Sequence, residues 1–170
     1  GLTLTAAGYL PPAIVQALYR DVDPEDRWYG KGNREDLTAP VHNLRTSATA
    51  LGLLHKSRGR LMPTTVGLKV ADDPRALLRH VASRMPLGKP HEKDAGLIAL
   101  LIMAAGDNPY QERELGGRIV YGLGWRVQGD EYGLAASQWS HPSVDVVRSL
   151  GGWHDGEAHR LAARALLMRR

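Results

Sequence analysis

The chain has no cysteine and no phenylalanine, and no apolar run long enough to cross a bilayer. The first absence removes disulfides, thiolate zinc sites and cysteine nucleophiles from consideration. The second, with Ala, Leu, Gly and Arg abundant, is the composition of a high-GC genome. The longest apolar stretch, Ala95 to Ala105, falls well short of the ~20 residues a membrane helix takes and reads as a buried core helix. The apolar core of a secretory leader is also missing, so a cytoplasmic location is the expectation. The chain starts at Gly1 without a methionine, which reads as a segment of something longer. What remains is ordinary for a globular protein: 170 residues, 43% apolar and 24% charged, enough for one large domain or two small ones.

A net charge of +4 says little when averaged over the chain, but its distribution says more. Residues 1–106 carry 14 Lys and Arg against 10 Asp and Glu, whereas residues 107–170 carry 8 of each. Between Arg27 and Arg60 stand Arg27, Lys31, Arg34, Arg45, Lys56, Arg58 and Arg60, opposed only by Glu35 and Asp36. The first half is locally basic and the second is neutral.

One stretch nearly occurs twice. Leu51-Gly-Leu-Leu-His-Lys-Ser-Arg-Gly-Arg-Leu61 is echoed by Leu150-Gly-Gly-Trp-His-Asp-Gly-Glu-Ala-His-Arg-Leu161. Each begins with a Leu-Gly helix exit, continues through an apolar segment and a polar turn, and closes on Arg-Leu. Helix, tight exit and hairpin form the back half of a winged helix-turn-helix unit, so two copies predict a tandem arrangement.

The local patterns fill in the elements. Pro11-Pro12 opens a helix to about Arg20, since proline suits a first turn. Asp21 to Asp36 reads as a polar loop. Pro40, behind Thr38 as cap, starts a helix with Val41, Leu44, Ala48 and Leu51 as its buried stripe. Leu53–Lys56 and Arg60–Met62 pair as a hairpin around Ser57-Arg58-Gly59. Thr64 caps a short helical return, and Thr5 has the same Leu-x-x-Thr-x-x-Gly setting, as if Leu2–Gly8 were the tail of another such unit. A linking helix runs from Pro74, and Pro86–Pro90 marks the domain boundary. Beyond it come the apolar helix to Ala105, a helix at Tyr110–Gly122 with Leu115, Ile119 and Leu123, and a helix at His141–Leu150 with Val144, Val147 and Leu150 inward. A second hairpin is expected at Trp153–Leu161, then a final helix from Ala162.

The helix from Pro40 to Leu51 and its hairpin make the strongest candidate binding surface. In a helix-turn-helix the second helix enters the major groove, and nearby cations grip phosphates. His42, Asn43, Arg45, Thr46 and Thr49 fall largely off the buried stripe; Arg forks onto guanine and Asn onto adenine. Lys56, Arg58 and Arg60 sit where a wing touches backbone or minor groove. The alternative is a solvated helix face with a charged turn; local charge tilts the choice toward binding. Trp28-Tyr29-Gly30-Lys31-Gly32-Asn33-Arg34 offers a further site, with Lys31 and Arg34 as its cations, against the plainer role of packing a loop onto the core. It lacks the P-loop pattern.

In the second copy, Asp155 and Glu157 replace Lys56 and Arg58, and carboxylates near phosphates weaken binding. That favours a structural or protein-contact role there. His154, Asp155, Glu157 and His159 lack the spacing of a structural zinc site, and Gly116-Gly117 with Gly122-Leu-Gly124 fails the dinucleotide fingerprint. No metal, cofactor or catalytic residue is assigned.

Leu4-Thr-Ala-Ala-Gly-Tyr-Leu-Pro-Pro12, Gly30-Lys-Gly-Asn-Arg-Glu-Asp36 and Leu51-Gly-Leu-Leu54 with Arg58-Gly-Arg60 carry a family resemblance, extended by Asp94-Ala-Gly-Leu97 and the Leu-Gly-Gly152 segment. The chain is similar to an actinobacterial winged-helix-like module of unknown function found in plasmid open-reading-frame-like proteins. That module has no assigned biochemistry, so the resemblance transfers no site residue.

The expectation is a mainly α protein of tandem winged helix-turn-helix units with short β-hairpin wings, one over residues 1–86 and the other over 91–170. The first unit is expected to bind double-stranded DNA in transcriptional or plasmid-related control, without catalysis. The rival reading is a protein-interaction or scaffolding module of a longer chain.

Overall fold

A computed structural model describes residues 1–106, 109–126, 141–152 and 154–168. Among the described residues the fold is mainly helical with one small antiparallel sheet, and the chain divides into two compact units. The first comprises Gly1–Ser83 with Gly152–His154, the second Arg84–Gly151 with Asp155–Arg170. No helix among the described residues is long and apolar enough to cross a membrane.

In the first unit, strand β1 (Leu2–Thr3) leads to helix α1 (Pro12–Val22), a 3₁₀ turn (Glu35–Leu37) and helix α2 (Ala39–Ala50). A hairpin of β2 (Leu54–Ser57) and β3 (Arg60–Pro63) follows, then helices α3 (Thr65–Val70) and α4 (Pro74–Arg84). Helix α1 starts on Pro12 and buries Val15 and Tyr19, four residues apart and so on one face. The Asp23 amide closes its end on the Tyr19 carbonyl. Helix α2 follows Thr38 and buries Pro40, Val41 and Ser47, with Leu51 buried at its exit. Leu4, Leu10, Val15, Tyr19, Val41 and Leu61 form the core, with Ile14, Leu18, Trp28 and Leu54 packed around it.

The hairpin turn is tighter than expected. Ser57 pairs with Arg60, leaving only Arg58 (φ +46°) and Gly59 (φ +73°) to reverse the chain. Two left-handed residues make a type I′ turn, whose twist matches the strands it joins. Sheet order is β1-β3-β2, with Leu2 opposite Leu61 and Thr3 opposite Arg60. Leu2 and Thr3 are therefore a strand of this unit's own sheet. Thr5 caps no helix; its hydroxyl accepts from the Tyr9 amide at 3.1 Å across a turn. Thr64 does cap α3, accepting from Gly67 N at 2.9 Å. Asp73 caps α4 through Arg75 N and Ala76 N.

In the second unit, helix α5 (Lys93–Ala105) packs against α6 (Pro109–Gly122), α7 (Pro142–Gly151) and α8 (Gly156–Leu167), and α7 packs on α8. As expected, α5 is the buried core helix, with Ala95, Gly96, Ala99, Leu100, Ile102 and Met103 inside. A Cβ on Gly96 would stand 2.6 Å from the His141 ring and 2.7 Å from Pro86, so only glycine admits this approach. His141 caps α7, its Nδ1 accepting from Ser143 N at 3.2 Å. The Ser143 hydroxyl in turn accepts from Leu87 N at 3.0 Å.

Three sequence expectations fail here. The second hairpin does not form: Gly156 to Leu161 is helical, the first part of α8, started by Asp155 accepting from Ala158 N at 2.9 Å. Trp153 lies outside the described residues. His159, Ala163 and Leu166 recur at helical spacing and are buried, and that periodicity outweighs the glycine-containing turn. The expected stripe of α6 is also turned outward. Leu115 and Ile119, with Leu123 just beyond the helix, are exposed, and Gly116, Gly117 and Val120 are buried. On α7, Val146 takes the buried place expected for Leu150.

Candidate nucleic-acid interface

Lys56, Arg58 and Arg60 are exposed on the hairpin, and none forms an ion pair with a carboxylate among the described residues. The register places them differently. Strand side chains alternate between faces, so Lys56, opposite Leu61, shares the face that buries Leu61 against the core. Its ammonium reaches toward the turn at Gly8, 2.7 Å from where a Cβ there would stand. Arg60 stands on the other face, opposite Ser57 and Thr3, and donates to the Gly1 carbonyl at 2.9 Å. Arg58 occupies the tip between them.

On α2 the expected base readers divide. Arg45 is turned inward: its Nε donates to Oε1 of Glu35, and its side chain is 17% exposed. Glu35 exposes none of its side chain, and its second oxygen accepts from the Leu10 amide at 2.6 Å. One carboxylate thus ties the 3₁₀ turn to α2 and to the start of α1. Burying it is tolerable because both oxygens are hydrogen-bonded and the charge is paired. His42 sits beside this pair, with Nδ1 3.7 Å from Glu35 Oε1, while 40% of its side chain remains exposed. That Nδ1 is buried without a hydrogen-bond partner. Thr46 donates to the His42 and Asn43 carbonyls, and Thr49 to the Arg45 carbonyl, so both hydroxyl protons return to the helix. Asn43 is half-buried.

The loop before α2 is held to the core. Trp28 packs on the core cluster, its indole N–H donates to the Leu37 carbonyl at 3.1 Å, and its amide to Asp23 at 2.8 Å. Tyr29 stacks on Trp28 with ring centroids 4.4 Å apart. Burial pushes the Tyr19 phenol above its ordinary range, reinforced by its 2.6 Å hydrogen bond to Asp26 and by the charge of Asp23. Arg34 forks onto Asp36 through Nε at 3.2 Å and Nη2 at 2.6 Å, which holds the Asp36 carboxyl below its ordinary range. Lys31 is exposed.

The structure therefore brings Lys56, Arg58 and Arg60 together on one hairpin and leaves His42 partly open to solvent. It commits Arg45 to Glu35 and Arg34 to Asp36. Glu35 is the residue that sequence reasoning passed over. It falls in a polar loop ten positions before Arg45, beyond any helical periodicity, and no local pattern points to it. Among the described residues no group of three or more His, Asp or Glu side chains is placed to hold a metal ion. No protein-family model, curated protein or solved structure matches the chain.

Proposed function

We propose that the first unit binds double-stranded DNA as a winged-helix module, without catalytic activity, in a cytoplasmic protein of transcriptional or plasmid-related control. The observation that carries this reading is the exposed hairpin bearing Lys56, Arg58 and Arg60 directly after α2. Its support is the order β1–α1–α2–β2–β3 with sheet order β1-β3-β2, which is also the order of the strands and last two helices of a winged helix. In this reading α2 lies in the major groove and the hairpin is the wing. The likeness to the actinobacterial plasmid-associated module belongs to the same proposal.

The test is a fluorescence-anisotropy titration of the chain against random-sequence duplex at two salt concentrations. Three phosphate-gripping cations give a slope of log affinity against log salt of about −2.7. Arg58→Ala with Arg60→Ala should bring it to about −0.9. Absence of binding at low salt refutes the reading.

A second reading rests on the second unit. Leu115, Ile119 and Leu123 are exposed along α6, and Asp155 and Glu157 are exposed at the start of α8. Exposed apolar side chains and exposed carboxylates suit a protein contact better than a polyanion.

A further inference from the structure

The partnered carboxylate under α2 bears on which atom of that helix meets a ligand. Glu35 is wholly buried, with one oxygen on Arg45 Nε and the other on the Leu10 amide. A carboxylate accepts about four hydrogen bonds, so these two leave capacity. His42 Nδ1 lies 3.7 Å from Oε1, buried and without a hydrogen-bond partner. Facing an acceptor, that nitrogen is favoured as Nδ1–H, as when a carboxylate fixes the tautomer of a metal-bound histidine. In that tautomer the ring carries its lone pair on Nε2, on a side chain 40% exposed.

We propose that His42 Nε2 is the base-reading atom of α2 and that Glu35, clamped by Arg45, is its positioning group. The proposal rests on the reading of the first unit as a DNA-binding module. It also assigns the chemistry of the contact. A lone pair on Nε2 cannot bond a phosphate oxygen, which is itself only an acceptor. It accepts instead from an exocyclic amino group, and in the major groove those belong to adenine N6 and cytosine N4. His42 thus contributes sequence preference and no phosphate grip. Arg45 acts through Glu35 without touching DNA.

Two measurements on the full chain test this. The first needs no DNA: long-range ¹H–¹⁵N correlation of the His42 ring should show the Nδ1–H tautomer, shifting toward Nε2–H in Glu35→Gln. A wild-type ring in the Nε2–H form overturns the assignment. The second selects preferred duplexes from a random pool and compares wild type with His42→Asn. Asparagine keeps a donor near the Nδ1 position, so the fold is retained, but has no atom at Nε2. Affinity for the selected duplex should fall about tenfold, equal to about 1.4 kcal/mol, with preference lost at one A·T or G·C position and the salt slope unchanged. Unchanged preference overturns the proposal, and so does a salt slope reduced by about 0.9, which would mark a phosphate contact. If wild type binds no duplex even at low salt, the DNA reading falls and the base contact with it; the tautomer result separately decides whether Glu35 orients the ring.

Discussion

Arg45→Met isolates the buried ion pair. The substitution keeps an apolar stem of similar length in a site that is 17% exposed and removes the partner of Glu35 Oε1. Glu35 itself remains at zero side-chain exposure, with Oε2 still on the Leu10 amide. Removing one partner of a buried pair costs about 3–5 kcal/mol. The partial exposure of Arg45 lets water approach that side, which places the expected loss near the lower bound, at about 3 kcal/mol. Adding Glu35→Gln should recover about 2 kcal/mol, because the charge is gone and the amide carbonyl still accepts from Leu10. Glu35→Met would be a poorer partner, since it leaves that buried amide without an acceptor. Native-state hydrogen exchange of the α2 amides reads the first unit by itself. If Arg45→Met costs less than about 1 kcal/mol, or the double variant is no more stable than the single, the carboxylate is not held by this pair and the argument fails.

Other parts of the molecule make their own predictions. Burial holds the His141 imidazole below its ordinary range, against an opposing pull from Glu92. The unfolded chain then binds this proton first, so the second unit is at full stability above about pH 6.5 and loses stability as pH falls below it. His141→Asn supplies another cap acceptor for Ser143 N and should flatten the urea midpoint between about pH 7 and 5; equal slopes in both proteins would count against the assignment. Asp155→Ala removes the cap of α8 and should cost about 1 kcal/mol by chemical denaturation, whereas a hairpin at this place would be indifferent to it. Arg58→Asn puts Asn-Gly into the type I′ turn, which should stabilise the hairpin by a few tenths of a kcal/mol or more while reducing the DNA salt slope by about 0.9.

The first unit was largely legible in the sequence because its elements are set locally. Proline at a first turn, Thr64 and Asp73 as caps, and the Arg58-Gly59 turn each act within a few residues. Strand β1 was not legible, since two residues make no pattern and exist as a strand only by pairing with β3 some sixty positions later. Glu35 was hidden for the same reason: its partners Leu10 and Arg45 lie 25 and 10 residues away. The second unit misled through its likeness to the first. The Leu-Gly exit at Leu150 resembles that at Leu51, yet the residues after it carry a helix cap at Asp155 and a helical stripe at His159, Ala163 and Leu166. On α6, four-residue spacing identified a helix but not its buried side, because Gly116 and Gly117, which carry no apolar side chain to mark it, lie on the buried face. The cationic residues were legible as residue types only; which of them remain available depends on Glu35 and Asp36.

For the DNA contact proposed for the first unit, the alternation along β2 and β3 has a consequence. With Lys56 on one side of the ribbon and Arg60 on the other, the hairpin has no flat cationic side to lay along a row of phosphates. Lying down, it engages one of the two and turns the other away. Entering end-on, Arg58 first, it carries positive charge on both flanks at once and suits a cleft with a negative rail along each edge. The direction of approach is therefore written into the parity of the strand register: moving either cation by one position would turn a wedge into a paddle.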